Sequence, residues 1–201
     1  MNGIKNEIKM SREAILNAVK NNKPEALPMP TINQDAFAET IDLLATFKSN
    51  MALVGGIVKE VDISTIDKEI STNYQKAKHI VSATTKSTLG TVPVSKETDP
   101  HTLEAIDLAI VEGELGVSEN GAIWVTANNS LVRALPFITN DLVIILDKNK
   151  LCLHMLQAYD LINKRDRDFG VFISGPSKTA DIEQCLVVGA HGAMSLMVLL
   201  V

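Results

Sequence analysis

FISGPSKTADIEQCLVVGAHG, residues 172–192, is the stretch whose reading decides the fold of this 201-residue chain. It opens as a buried strand ending in Ser174-Gly175-Pro176-Ser177. The residues after that predict a helix opening near Thr179, then a turn at Gly189 to Gly192 leading into a last apolar strand. Gly and Ser at such a junction permit close backbone approach, and a helix start leaves peptide N–H groups unpaired, so an anion can be held there. Ser174, Gly175, Ser177 and Thr179 offer backbone and hydroxyl donors to this anion-binding loop, and Lys178 adds a positive charge. Asp181 falls in the first turn of the predicted helix, where a carboxylate favours the helix dipole. Capping is its simpler reading and a bond to a ligand hydroxyl the alternative. The Walker A spacing is absent, which removes nucleotide phosphate binding by that route.

Upstream, strand and helix signals alternate. Leu142–Leu146 (LVIIL) is a continuous apolar run of the kind found in a parallel sheet covered on both faces. Asp107–Val111 and Ala122–Thr126 are further buried strands, His79–Ala83 another, and Ile57–Val61 a strand of mixed burial toward an edge. Ser64 and Asp67 have the spacing of a capping box before a stripe of Ile66, Ile70 and Tyr74, and Asp99-Pro100 suits a helix start. Asp147 or Asn149 is expected to cap a helix with the stripe Leu151, Met155, Ala158 and Ile162. Residues 87–97 read as loop or irregular strand, and Lys164–Asp168 (KRDRD) as a solvated turn. Right-handed crossovers then imply an α/β fold, an open and largely parallel sheet with helices on both faces. Residues 1–50 are expected to form an N-terminal helical segment packed on the α/β domain of residues 51–201, a single domain overall. Ser11 caps its first helix, and Phe37, Ile41, Leu44 and Phe47 recur along its second.

Composition narrows the function classes. A net charge of -5, with Lys and Arg interspersed among Asp and Glu, argues against nucleic-acid binding. The apolar run from Cys185 to Val201 is interrupted by Gly189, His191, Gly192 and Ser195, so a membrane span is not expected, and the first ten residues lack the apolar core of a secretory signal. A cytoplasmic location is therefore expected. Cys152 and Cys185 sit in apolar helical patterns without metal-ligand spacing and read as buried thiols. His79, His101 and His154 show no ligand spacing either, so no metal site is expected.

Three further places can carry chemistry. His191, between Ala190 and Gly192, can reach a cleft as acid, base or hydrogen-bond donor, although an isolated His is as often structural. Glu119 stands in the polar turn Ser118-Glu119-Asn120-Gly121 between two strands. It is the best candidate nucleophile or base, with Asn120 and the Gly121 N–H able to stabilise charge beside it. The bland reading of that tetrapeptide is a hairpin or crossover turn in which Asn-Gly supplies positive φ. Arg133, in an otherwise apolar run, can clamp a carboxylate or phosphate bidentately, or form a structural ion pair.

GPSKTADIEQCLVVGAHG (175–192) resembles the C-terminal signature of the lactate utilisation protein C family, the LUD domain, with Lys178 in place of the usual Arg and Ala193-Met194 in place of Pro-Arg. GVSENGAIWVT (116–126) and LPFITNDLVIIL (135–146) are similar to two further segments of that family. The resemblance implies a fold of the NagB/RpiA/CoA-transferase type. It also implies a part in bacterial L-lactate oxidation to pyruvate beside two iron–sulfur partner proteins. The clusters belong to those partners, so no cofactor is expected in this chain, whose ligand would be a small carboxylate or phosphorylated metabolite. Ser118–Gly121 is also similar to the S-E-N-G motif of class I CoA-transferase β subunits, which would make Glu119 the nucleophile toward an acyl-CoA. A metabolite-binding module without catalysis is a further alternative. Whether the isolated chain is an enzyme stays open, and homo-oligomerisation is possible.

Overall fold

A computed structural model of the chain describes residues 11–28, 30–37, 39–163, 169–180 and 186–201. The chain divides into two compact units, Met1–Phe37 and Ala38–Val201. In the first, helix α1 (Arg12–Asn21) starts as expected, with Ser11 Oγ accepting from the Ala14 N–H, and a short 3-10 turn covers Gln34–Phe37.

The second unit opens with α2 (Leu43–Leu53). The helix expected from Phe37 onward begins only here, because the Asp42 carboxylate accepts from the N–H groups of Leu44 and Ala45 (3.0 Å each) and fixes the start. Strand β1 (Ile57–Glu60) follows, then α3 (Ile66–Asn73). The expected capping box does not form. Thr65 is the cap residue, and Asp67 instead accepts from the N–H and hydroxyl of Thr88. Residues 83–99, beyond β2 (Ile80–Ser82), are loop, and Asp99-Pro100 starts a single 3-10 turn, Pro100–Leu103.

The remaining elements are β3 (Leu108–Glu112), β4 (Leu115–Val117), β5 (Ala122–Thr126), α4 (Ala127–Ser130), α5 (Leu135–Ile138), β6 (Asp141–Leu146), β7 (Leu151–Cys152), α6 (Met155–Asn163), β8 (Gly170–Ile173), β9 (Lys178–Ala180), β10 (Leu186–Val188) and β11 (Ser195–Leu200). Two of these correct the expectations. Leu151 and Cys152 pair with β4 as a strand, so Asp147 caps only the 3-10 turn Lys148–Lys150, and the helix starts at Met155. Lys178–Ala180 is a strand paired antiparallel with Leu186–Val188, where a helix was expected. Pairing across to Val187 and Val188 supplies the hydrogen bonds that a helix would have made locally.

Five strands form a parallel sheet in the order β1-β11-β6-β3-β2, with β1 at an edge as expected. A second sheet, β7-β4-β5-β8, is mostly antiparallel. Period-two alternation divides the parallel strands cleanly. Leu142, Ile144, Leu196, Val198, Ala109 and Val111 face Phe47 and Met51 of α2 and Ile123 and Val125 of β5. Val143, Ile145, Met197, Leu199, Leu108 and Ile110 face Ile66 and Ile70 of α3. The outer face of the second sheet, with Ala122 and Trp124, packs on Ala158 and Ile162 of α6. The result is an α-β-β-α stack: the parallel sheet is flanked by helices, and on one side the second sheet shares the cover with α2.

Candidate functional site

One pocket is built around the residues that follow β8. Gly175 turns the chain at φ +71°, a conformation that suits glycine. A Cβ there would also stand 2.6 Å from the Val54 carbonyl oxygen at the end of α2. The loop can therefore lie directly on that helix end, and Lys178 Nζ donates to the same carbonyl (2.6 Å). A cation at a helix C-terminus is electrostatically favoured, and two of its N–H donors remain for other partners. The Ser177 N–H donates to the Ala193 carbonyl (2.8 Å) and the Gly189 N–H to the Ser177 carbonyl (3.0 Å), which ties the loop to the segment bearing His191.

These ties bring Ser174, Gly175, Ser177 and Lys178 together with His191 around a cavity of about 270 Å³. Its apolar wall includes Phe137, Leu142, Phe172 and Leu196. Apolar walls with a few convergent polar groups are the usual composition of a small-ligand site. In open α/β sheets ligands usually sit at the carboxyl ends of the parallel strands. Leu142 and Leu196, however, are the second residues of β6 and β11, so the pocket lies at the amino ends. At the same ends of β6 and β11, but outside the pocket and toward the α3 face of the sheet, Ser195 Oγ donates to Asp141, and the Tyr74 hydroxyl lies 3.4 Å from Ser195 Oγ. Burial, reinforced by the Asp141 charge and opposed by the Ser195 hydrogen bond, pushes the Tyr74 phenol above its ordinary pKa. Thr179 is half-buried on β9 and does not line the cavity, and Asp181 and Cys185 lie outside the described residues, as does Lys164–Asp168.

The Ser118–Gly121 turn is the expected hairpin, joining β4 to β5 with Gly121 at φ +68°. It is latched along α2. Ser118 Oγ donates to the Leu43 carbonyl (2.8 Å), and Asn50 Nδ2 donates to the carbonyls of Ser118 and Glu119 (2.8 and 3.0 Å). A Cβ on Gly121 would stand 3.0 Å from the Met51 backbone. The Glu119 carboxylate, half-exposed, accepts from the Met155 N–H (2.9 Å) at the first turn of α6 and lies 4.0 Å from His154 Nδ1. Glu119 does not line the His191 pocket, whereas the Asn120 carbonyl meets the pocket's rim by accepting from Ser174 Oγ (2.7 Å). Asn120 Oδ1 is taken by the Ala122 N–H (3.0 Å).

Arg133 is exposed, lies over the Phe169 ring (5.4 Å to the centroid) and lines a separate groove of about 470 Å³. Lys96 lines that groove too, donating to Asn128 Oδ1 (2.9 Å). Sequence reasoning missed Lys96 because it sits in the loop of residues 83–99, which has no periodic pattern. It missed the apolar wall of the His191 pocket because Phe137, Leu142 and Phe172 read simply as core.

At the carboxyl end of β3, Lys86 Nζ donates to Glu112 (2.6 Å) and Thr84 Oγ1 to the same carboxylate. Burial alone would raise the Glu112 pKa, but the hydrogen bonds from Lys86 and Thr84 outweigh it and hold the group below its ordinary value. Cys152 is buried, and burial pushes its thiol up to about 11. Among the described residues no group of three or more His, Cys, Asp or Glu is placed to hold a metal ion, and no helix is long and apolar enough to cross a membrane.

The solved structure of a DUF162 family protein from Deinococcus radiodurans superposes with a TM-score of 0.54, covering 85% of this chain and 99% of that one at 14% identity, a likeness of fold. A protein named Lactate utilization protein C from Bacillus pumilus is 31% identical over 113 residues, 53% of this chain and 47% of that protein. The protein of the same name from Geobacillus kaustophilus is 32% identical over 97 residues, 45% of this chain and 40% of that one. The chain thus spans about half the length of the curated relatives it matches, or less. The profile of the LUD domain matches residues 7–201, almost the whole sequence, and the chain belongs to the LUD domain family.

Proposed function

We propose that this chain serves lactate utilisation as a carboxylate-binding subunit, supporting the oxidation of L-lactate to pyruvate by iron–sulfur partner proteins. The relatives' shared name supports the pathway. The observation that carries the site is the convergence of Ser174, Ser177, Lys178 and His191 on one cavity of about 270 Å³, a size suited to a small organic acid. Lys178, held in place by Val54, supplies the charge opposite a carboxylate, the Ser177 hydroxyl and the imidazole supply directional hydrogen bonds to a hydroxyl or keto oxygen, and Ser174 Oγ, whose hydrogen goes to the Asn120 carbonyl, can accept from a ligand hydroxyl. In this reading the redox chemistry falls to the iron–sulfur partners, and this chain binds and orients the acid.

The Glu119 carboxylate has a structural part, since its acceptance of the Met155 N–H satisfies a free donor of α6. A thioester at that carboxylate would remove the charge from this contact, so the geometry favours the subunit reading over a CoA-transferase.

Titrating the full chain with L-lactate and with pyruvate by calorimetry tests the site. We expect saturable binding of at least one acid, and His191→Ala, a change at an exposed side chain, is expected to weaken it at least tenfold, the loss of about 1.4 kcal/mol. Binding that is unchanged in His191→Ala, or no binding of either acid, would sink the assignment.

A further inference from the structure

We propose that the groove between Lys96 and Arg133 is a second anion site, for a phosphate-bearing small molecule, shaped by a strained turn at Leu131. Leu131 has φ +60° and ψ -58°, and the Val132 N–H donates to the Ser130 carbonyl (2.7 Å). Together these define a γ-turn of the rare positive-φ kind, costly for a residue with a bulky side chain. Such strain persists only where the surroundings over-determine it, and it concentrates at functional sites. Both flanks are locked here. Ser130 is buried and its Oγ donates to the Thr126 carbonyl (3.1 Å), while Val132 and Leu135 are anchored in the core. The turn drops Val132 inward and leaves Arg133, the next residue, exposed on the groove.

The electrostatics point the same way. Arg133 is engaged by the Phe169 ring and Lys96 by a neutral carboxamide, and among the described residues neither forms an ion pair. Two uncompensated cations on one groove stand out in a chain of net charge -5. A phosphate monoester carries close to two negative charges and offers the oxygen geometry that a guanidinium binds bidentately. Pro100, Leu131 and Val132 provide apolar surface for the remainder of such a ligand, and about 470 Å³ leaves room for it. The site is separate from the His191 pocket. Arg133 and Ala134 line this groove, whereas Pro136 and Phe137, a few residues on, line the other.

Calorimetric titration of the full chain with inorganic phosphate, and separately with succinate, at constant ionic strength tests this. Arg133→Gln and Lys96→Gln change exposed side chains, and each is expected to weaken phosphate binding at least tenfold, while Lys76→Gln, an exposed cation elsewhere, leaves it unchanged. Absence of saturable phosphate binding, or equal weakening by all three substitutions, would overturn the proposal. Tighter binding of succinate than of phosphate would overturn the ligand class. Leu131→Gly, which relaxes the turn, is expected to weaken phosphate binding several-fold, and unchanged affinity would remove the turn from the site.

Discussion

Leu142–Leu146 and Leu186–Val188 are both short runs of Leu, Val and Ile, yet they meet opposite fates. Every residue of the first is buried, between α3 on one face and α2 with the second sheet on the other. In the second, Leu186, Val187 and Val188 are 64%, 40% and 45% exposed, on a two-stranded ribbon whose described partner is β9 alone. Composition is nearly the same, so the difference comes from what the rest of the chain stacks against each strand. An apolar run gains from burial in proportion to the area covered, and a two-stranded ribbon covers little.

The largest expected effect breaks the first run. Ile144→Ala leaves a cavity between the two sheets and should cost about 3 kcal/mol in chemical denaturation. A loss below about 1 kcal/mol would mean that the core is not close-packed there. An intermediate case sits where the parallel sheet meets solvent. Glu112→Gln removes the partner of Lys86 at the end of β3 and should cost about 1 kcal/mol at pH 7. Because the folded pKa of Glu112 is depressed, its stabilising contribution is full above the unfolded value of about 4.5 and is lost as pH falls through the folded value. The stability difference between wild type and variant should therefore shrink below about pH 4.5, and a constant difference from pH 7 to pH 3 would remove the ion pair as its cause. The smallest effect is expected on the ribbon, where Val187→Ala should change the unfolding free energy by about 0.5 kcal/mol or less. A loss near that of Ile144→Ala would show that the ribbon's apolar face is covered in solution.

The same contrast explains which features were legible in the sequence. The parallel strands announced themselves because burial on both faces demands unbroken apolar runs, and the Ser118–Gly121 turn because Asn-Gly suits a hairpin. The ribbon was misread because Thr179 and Asp181 have the chemistry of a helix start, and only distant pairing overrides that local preference. Leu151 was assigned to a helical stripe for a similar reason, since its partner Gly116 is remote in sequence. At the site, the Ser174–Lys178 loop and His191 were legible as polar and glycine-rich interruptions of apolar chain. Their separation from Arg133, and the pairing of Arg133 with Lys96 on another groove, depend on how residues 127–138 fold back over the sheet, which no local pattern encodes.

The latch between α2 and the pocket loop also bears on how the protein is made. Lys178 reaches the Val54 carbonyl across 124 positions of sequence, and among the described residues β1, the unit's first strand, pairs only with β11, its last. Long-range closure of this kind slows folding. During synthesis α2 and β1 would emerge from the ribosome well before Lys178 and Ser195–Leu200 exist, and β1 would wait without that pairing until Ser195–Leu200 has been translated. Completion of the sheet is thus a late event in the synthesis of this unit, and the unit's opening segment is a natural client for a chaperone that holds nascent chains.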